Sequence, residues 1–158
     1  MLKHATLLVV VSLISTFAIA NDFPIAPDAN LTPGSLCDQP SYQRYPEQIN
    51  YCERDVSSET KAEVFEIYDQ IGYRTQFMSR GAFKIDHYIP LCAGGSNQTT
   101  NLWPQHESIY RITDDLEALI CDKMAEGSLR QADAVDLIIK AKNHLDLVPD
   151  IEAQLRAL

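Results

Sequence analysis

The chain is poor in basic residues: 13 Lys and Arg stand against 22 Asp and Glu, and the formal net charge is −9. That balance disfavours a protein that coats nucleic acid through a broad positive face, though it leaves room for a small basic patch. Glycine is sparse, at 6 of 158 residues, and no repeats or low-complexity tracts occur, so collagen-like and disordered classes are excluded. The cysteines form no CxxC pair and the histidines no HxxxH pair, so zinc–thiolate sites have no support. Beyond residue 20 no apolar run is long enough for a membrane span. What remains is 46% hydrophobic and 22% charged, which fits one globular domain with a real core.

The first twenty residues read as a signal peptide. Lys3 and His4 make a short basic start, Ala5 to Ala20 is almost wholly apolar, and Ala18-Ile19-Ala20 has the small-x-small form of a cleavage site. Asn21 follows, not the cysteine of a lipoprotein anchor. The expectation is export, to the periplasm or out of the cell. Loss of Lys3 makes the mature chain one charge more negative. Cys37, Cys52, Cys92 and Cys121 all lie in that mature chain, and an even count in an oxidising compartment favours disulfides. Three pairings are open.

Residues 21–50 hold Pro, Asn, Asp, Gln and Tyr without sustained periodicity and read as an irregular arm; residues 51–158 read as the folded domain. From Ser57 or Ser58 the spacing of Val64, Ile67, Tyr68 and Ile71 predicts a helix stopped by Gly72. Phe83 to Leu91 reads as extended up to Pro90, Gly94-Gly95-Ser96-Asn97 as a turn, and Asn101-Leu102-Trp103 as a second extended piece stopped by Pro104. A helix capped near Thr113, with Leu116, Leu119 and Ile120 inward, should end at Gly127. Ser128 and Gln131 suggest a capping box for another helix, and a short terminal helix should follow Pro149. The fold class is α+β.

Asp86-His87-x-x-Pro90-Leu91-x-x-Gly94-Gly95-x-Asn97, followed by Asn101-Leu-Trp-Pro-Gln105 and His106, is the segment that carries chemistry. A strand, a tight loop and a returning strand can gather a carboxylate and an imidazole around one small cation, and a following helix can bring in a second nitrogen. The string resembles the HNH (His-Me finger) nuclease motif of exported bacterial endonucleases, and the likeness extends to Tyr51-Cys52-Glu53-Arg54 upstream and to Asp114-Asp-Leu-Glu117 and Cys121 downstream. The resemblance implies a ββα-metal core and metal-dependent hydrolysis of DNA phosphodiesters, with RNA as a second substrate. It makes His87 the general base, Asn101 the residue that orients it, and Asp86 a metal ligand. The family's third position falls near Tyr110, a poor ligand, so His106 is the expected second metal donor. One Mg²⁺ or Mn²⁺ ion is implied, or Zn²⁺ or Ni²⁺ if His106 binds. Where relatives often carry Lys-Asp-x-Leu-Glu, this chain has Thr113 in place of the lysine.

Arg74, Arg80 and Lys84 lie in the one stretch that is basic and free of acids, and are the expected phosphate-gripping edge for transient binding by a monomer. Trp103 is expected in the core, and His144, among Lys140 and Lys142, at a solvated helix end. The alternative is a catalytically weakened HNH-like module that serves as an exported binding or adaptor protein.

Overall fold

A computed structural model describes residues 21–158; the signal peptide expected over residues 1–20 lies outside them. The segment read as an irregular arm carries a small hairpin, β1 (Tyr42–Arg44) and β2 (Ile49–Tyr51), paired antiparallel with Tyr42 opposite Tyr51. β2 crosses the boundary drawn at residue 50. A disulfide between Cys37 and Cys52 closes the base of this hairpin. Three-residue strands are too short to show a period, which is why the sequence hides them.

α1 (Ser58–Gln70) starts where expected, with Ser57 Oγ accepting the Thr60 N–H. Val64, Phe65 and Tyr68 form its buried face, while Ile71, placed on that face by spacing, is half exposed beyond the helix end. The chemistry-bearing segment forms a second antiparallel pair, β3 (Phe83–His87) and β4 (Leu102–His106). Pro104 does not stop β4; it pairs with Ile85 inside it. In a two-stranded sheet both strands are edges, so a residue without an N–H is tolerated where that group would face outward.

α2 (Glu107–Glu126) follows β4 without a break and is capped by His106, whose Nδ1 accepts the Ser108 N–H. It therefore begins almost two turns before the cap expected at Thr113. Thr113 is buried mid-helix, where its Oγ1 accepts from Gln105 Nε2. Gly127 ends the helix in the left-handed region, as its position implied. α3 (Gln131–Asn143) has no capping box: Ser128 Oγ donates back to Lys123 O, and the Gln131 N–H is taken by Glu47 Oε2, 84 residues away. α4 (Val148–Arg156) closes the chain, with Pro149 in its first turn. Among the described residues no helix is long and apolar enough to cross a membrane.

Two apolar clusters flank the β3–β4 pair. One joins α1 to the hairpin through Val64, Phe65, Tyr68, Ile85, Leu102 and Trp103. The other packs α2, α3 and α4 around Leu116, Ile120, Ile138, Ile151 and Leu155, and reaches Ile89 and Ala93 in the loop after β3. A second disulfide, Cys92–Cys121, ties that loop to α2. The loop end of the hairpin is thus held from two sides.

Candidate active site

Asp86 and His87 end β3, and consecutive residues on a strand face opposite ways. Asp86 turns toward α2 and α3. Its Oδ2 accepts from Trp103 Nε1 at 3.1 Å and from Lys142 Nζ at 2.6 Å, and Lys84 Nζ lies 3.4 Å from Oδ1. Lys142 reaches in from α3 and is fully buried. Its ammonium also donates to the His87 carbonyl at 2.6 Å and lies 2.7 Å from Glu117 Oε1 on α2. Burial pushes the Asp86 carboxyl up, but the Lys142 and Lys84 charges outweigh it and hold the group below its ordinary value. Burial alone would lower Lys142; Asp86 and Glu117 overcome this and keep it a firm ammonium. Glu117 goes the other way: burial raises it to about 7 against the pull of Lys142.

His87 turns toward the segment before α1. Arg54 Nη1 lies 3.2 Å from its Nδ1, and Asn97 Oδ1 lies 3.0 Å from its Nε2. A guanidinium only donates, so Nδ1 is the acceptor nitrogen and Nε2 carries the proton that Asn97 accepts. Both partners are themselves fixed: Arg54 Nη2 donates to Ile85 O, and Asn97 Nδ2 to Glu53 O. Burial lowers the imidazole to about 4; the Asn97 hydrogen bond resists and the Arg54 charge adds to the fall. His87 is therefore neutral near pH 7, with its one lone pair aimed at Arg54. A cleft of about 390 Å³ opens here, lined by Arg54, Lys84, Asp86, His87, Leu91 and Glu117.

Asn101 builds the loop that returns the chain. Its Oδ1 accepts the Ile89 N–H, and its Nδ2 donates to Ile89 O and Ser96 O, all at 2.9 Å. It does not touch the imidazole; it fixes the backbone that follows it. Gly95 is required beside it, because a Cβ there would stand 1.8 Å from Ile89 O.

The hairpin separates the two histidines. His87 pairs with Leu102 and His106 with Phe83, four residues further along the strand, or ~13 Å at about 3.3 Å per residue. His106 stacks on Phe23 with ring centroids 4.0 Å apart. The expected gathering of Asp86 and His106 around one cation does not occur: β4 runs through Pro104, so His106 lies three residues beyond Trp103, the partner of Asp86, or ~10 Å at about 3.3 Å per residue, and on the opposite face of the hairpin. Tyr110 sits on the first turns of α2, near the Lys84 ammonium. Arg74 and Arg80 do not join the cleft either. Arg74 meets Asp22, and Arg80 lies over the Phe65 ring beside Glu66 and Asp69 in a different depression. Only Lys84 of the expected basic edge lines the cleft, and it also pairs with Asp114.

The donors present do not suit a divalent ion. Among the described residues no three His, Cys, Asp or Glu side chains converge on one point. The two carboxylates that do approach each other, Asp86 and Glu117, already share the Lys142 ammonium. Sequence reading gave no role to Lys142. Its signal was position: it follows Ala134, Ile138 and Ala141 on the apolar stripe of α3, where a lysine is out of place. Arg54 and Asn97 stood inside the motif string without a role. The chain matches no protein-family model, no curated protein and no solved structure.

Proposed function

We propose that the protein is an exported phosphodiester hydrolase of the HNH type, acting on DNA and secondarily on RNA, with His87 as general base. One observation carries this reading: a neutral imidazole at the wall of an open cleft, its Nε2–H fixed by Asn97 and its Nδ1 lone pair facing an arginine. The Asp-His, Gly-Gly and Asn spacing on a hairpin followed at once by a helix supports the same family reading.

In this scheme Arg54 exchanges its contact with Nδ1 for a phosphate oxygen, and Lys84 holds a second oxygen. A water enters beside Nδ1. His87 takes its proton as the water oxygen bonds to phosphorus and the bond to the leaving 3′ oxygen breaks; that oxygen is protonated from solvent in the open cleft. General-base assistance of this kind supplies typically about 10²–10⁴-fold. Arg54 and Lys84 neutralise charge that develops on the phosphoryl oxygens. The two disulfides suit an oxidising compartment, periplasmic or extracellular, and the acidic surface suits transient binding by a monomer.

The adaptor reading draws on one specific observation: Asp86, a metal ligand by family resemblance, is committed to Lys142 and Trp103. Incubating the oxidised protein with plasmid, with divalent ions and with chelator, separates the two. Cleavage that His87→Ala abolishes supports the hydrolase. Nucleic-acid binding with no cleavage under any condition refutes it in favour of the adaptor.

A further inference from the structure

We propose that Lys142 is a built-in cation, standing between Asp86 and Glu117 where a hydrolase of this kind would hold a divalent ion, so that the cleft works without one. Asp86 Oδ2 at 2.6 Å, His87 O at 2.6 Å and Glu117 Oε1 at 2.7 Å surround Nζ. Of its three N–H bonds two are donated, to Asp86 Oδ2 and to the His87 carbonyl, and Glu117 Oε1 is held beside them as a close ion pair without a hydrogen bond. Lys142 is 0% exposed, so bulk water does not reach it.

The charge balance points the same way. Asp86, Glu117 and Asp114 bring at most three negative charges, and Lys142 and Lys84 bring two positive ones within 3.4 Å of those carboxylates. Arg54 adds another at the cleft wall. An incoming divalent ion would find no unpaired negative charge and would have to displace a buried ammonium. The hydrogen bond from Lys142 to the His87 carbonyl gives the same side chain a positioning role, since it fixes the strand end from which the imidazole projects.

Mn²⁺ titration by calorimetry, on the wild type, Lys142→Met and Glu117→Gln, tests the placement. Methionine matches the lysine stem as far as Cε, lacks the ammonium, and leaves the two carboxylates without their shared cation. The expected result is no saturable Mn²⁺ binding by the wild type, and one-site binding by Lys142→Met together with a rise of its melting temperature in Mn²⁺. Mn²⁺ binding by the wild type that Glu117→Gln removes would overturn the proposal. So would a folded Lys142→Met that binds none. Plasmid cleavage gives a second arm: wild-type turnover should be unchanged by chelator, and loss of turnover on chelation overturns the proposal. Chelator resistance presupposes the hydrolase of the preceding section, whereas Mn²⁺ binding does not. A wild type that cleaves nothing therefore counts against that activity, and the titration still decides the role of Lys142.

Discussion

The two ends of one hairpin, built of two five-residue strands, carry one histidine each, and the two are held in different ways. At the loop end His87 is 4% exposed, neutral, and held through both ring nitrogens by Arg54 and Asn97 beside an open cleft. At the far end His106 stacks on Phe23 and spends its Nδ1 on capping α2. The sequence places both in one compact motif; the register places them at opposite ends. A strand converts four residues into about 13 Å. Nearness along a motif is nearness in space only where the chain turns, and here it turns at Gly94 and Gly95, not at Pro104.

The sharpest way to break this comparison is to remove each imidazole. His87→Ala should lower plasmid turnover about 10²–10⁴-fold with the fold retained, read by cleavage rate and circular dichroism. Equal loss in His106→Ala would erase the distinction between the two ends.

A second test acts on the support of the loop end. Lys142→Ala removes the buried cation paired with Asp86 and should cost about 3–5 kcal/mol in chemical denaturation, the usual penalty for leaving one member of a buried ion pair alone. A cost under about 1 kcal/mol would mean that the carboxylates find water instead.

Acidity offers a finer probe. Folded His87 takes its proton only near 4, while an unfolded histidine takes it near 6.5. Between those values the unfolded state binds more protons, so this group costs stability progressively as pH falls through that window. Glu117 opposes it: the folded carboxyl titrates at about 7 and the unfolded one at 4.5, so its contribution is present at low pH and is lost as pH rises through about 7. In Glu117→Gln the histidine effect is no longer opposed, and stability should fall on acidification from about pH 6.5 toward 4. By the same shift, wild-type kcat/KM should hold down to about pH 5, lower than an ordinary histidine base permits. An acid limb near 6.5 would place the working base elsewhere.

The smallest effect is expected at the far end. His106→Ala removes a helix cap and a ring stack and should cost about 1 kcal/mol of stability, with turnover unchanged.

Much of the scaffold was legible in the residues. Ser57 caps α1, Gly127 ends α2, and β3 begins at Phe83 as expected, although it ends at His87 and β4 runs on past Pro104 to His106. The failures share a physical cause, which is that tertiary contacts replaced local ones. Glu47 supplies the cap of α3 from a distant loop, so the local Ser128–Gln131 pattern was misleading. His106 is a rare kind of cap, so the start of α2 was placed two turns late at Thr113. In the site, Asp86 and His87 were legible because their spacing to Gly95 and Asn101 encodes the loop that holds them. Lys142 was not, because the ion pair that buries it joins residues 56 positions apart. Only its place on the apolar stripe of α3 betrayed it. Arg74 and Arg80 looked like one edge with Lys84 because they are close in sequence, but each is drawn to its own neighbours, Asp22 and the Phe65 ring.

The central claim is that the loop-end histidine is the working base and the far-end histidine has no part in the chemistry. Plasmid cleavage by the oxidised wild type, His87→Ala and His106→Ala, measured side by side in chelator and in Mn²⁺, tests it most directly. The account requires His87→Ala to fall at least about 10²-fold below the wild type in both conditions and His106→Ala to match the wild type in both. A smaller loss in His87→Ala, or activity that disappears in His106→Ala, would contradict it.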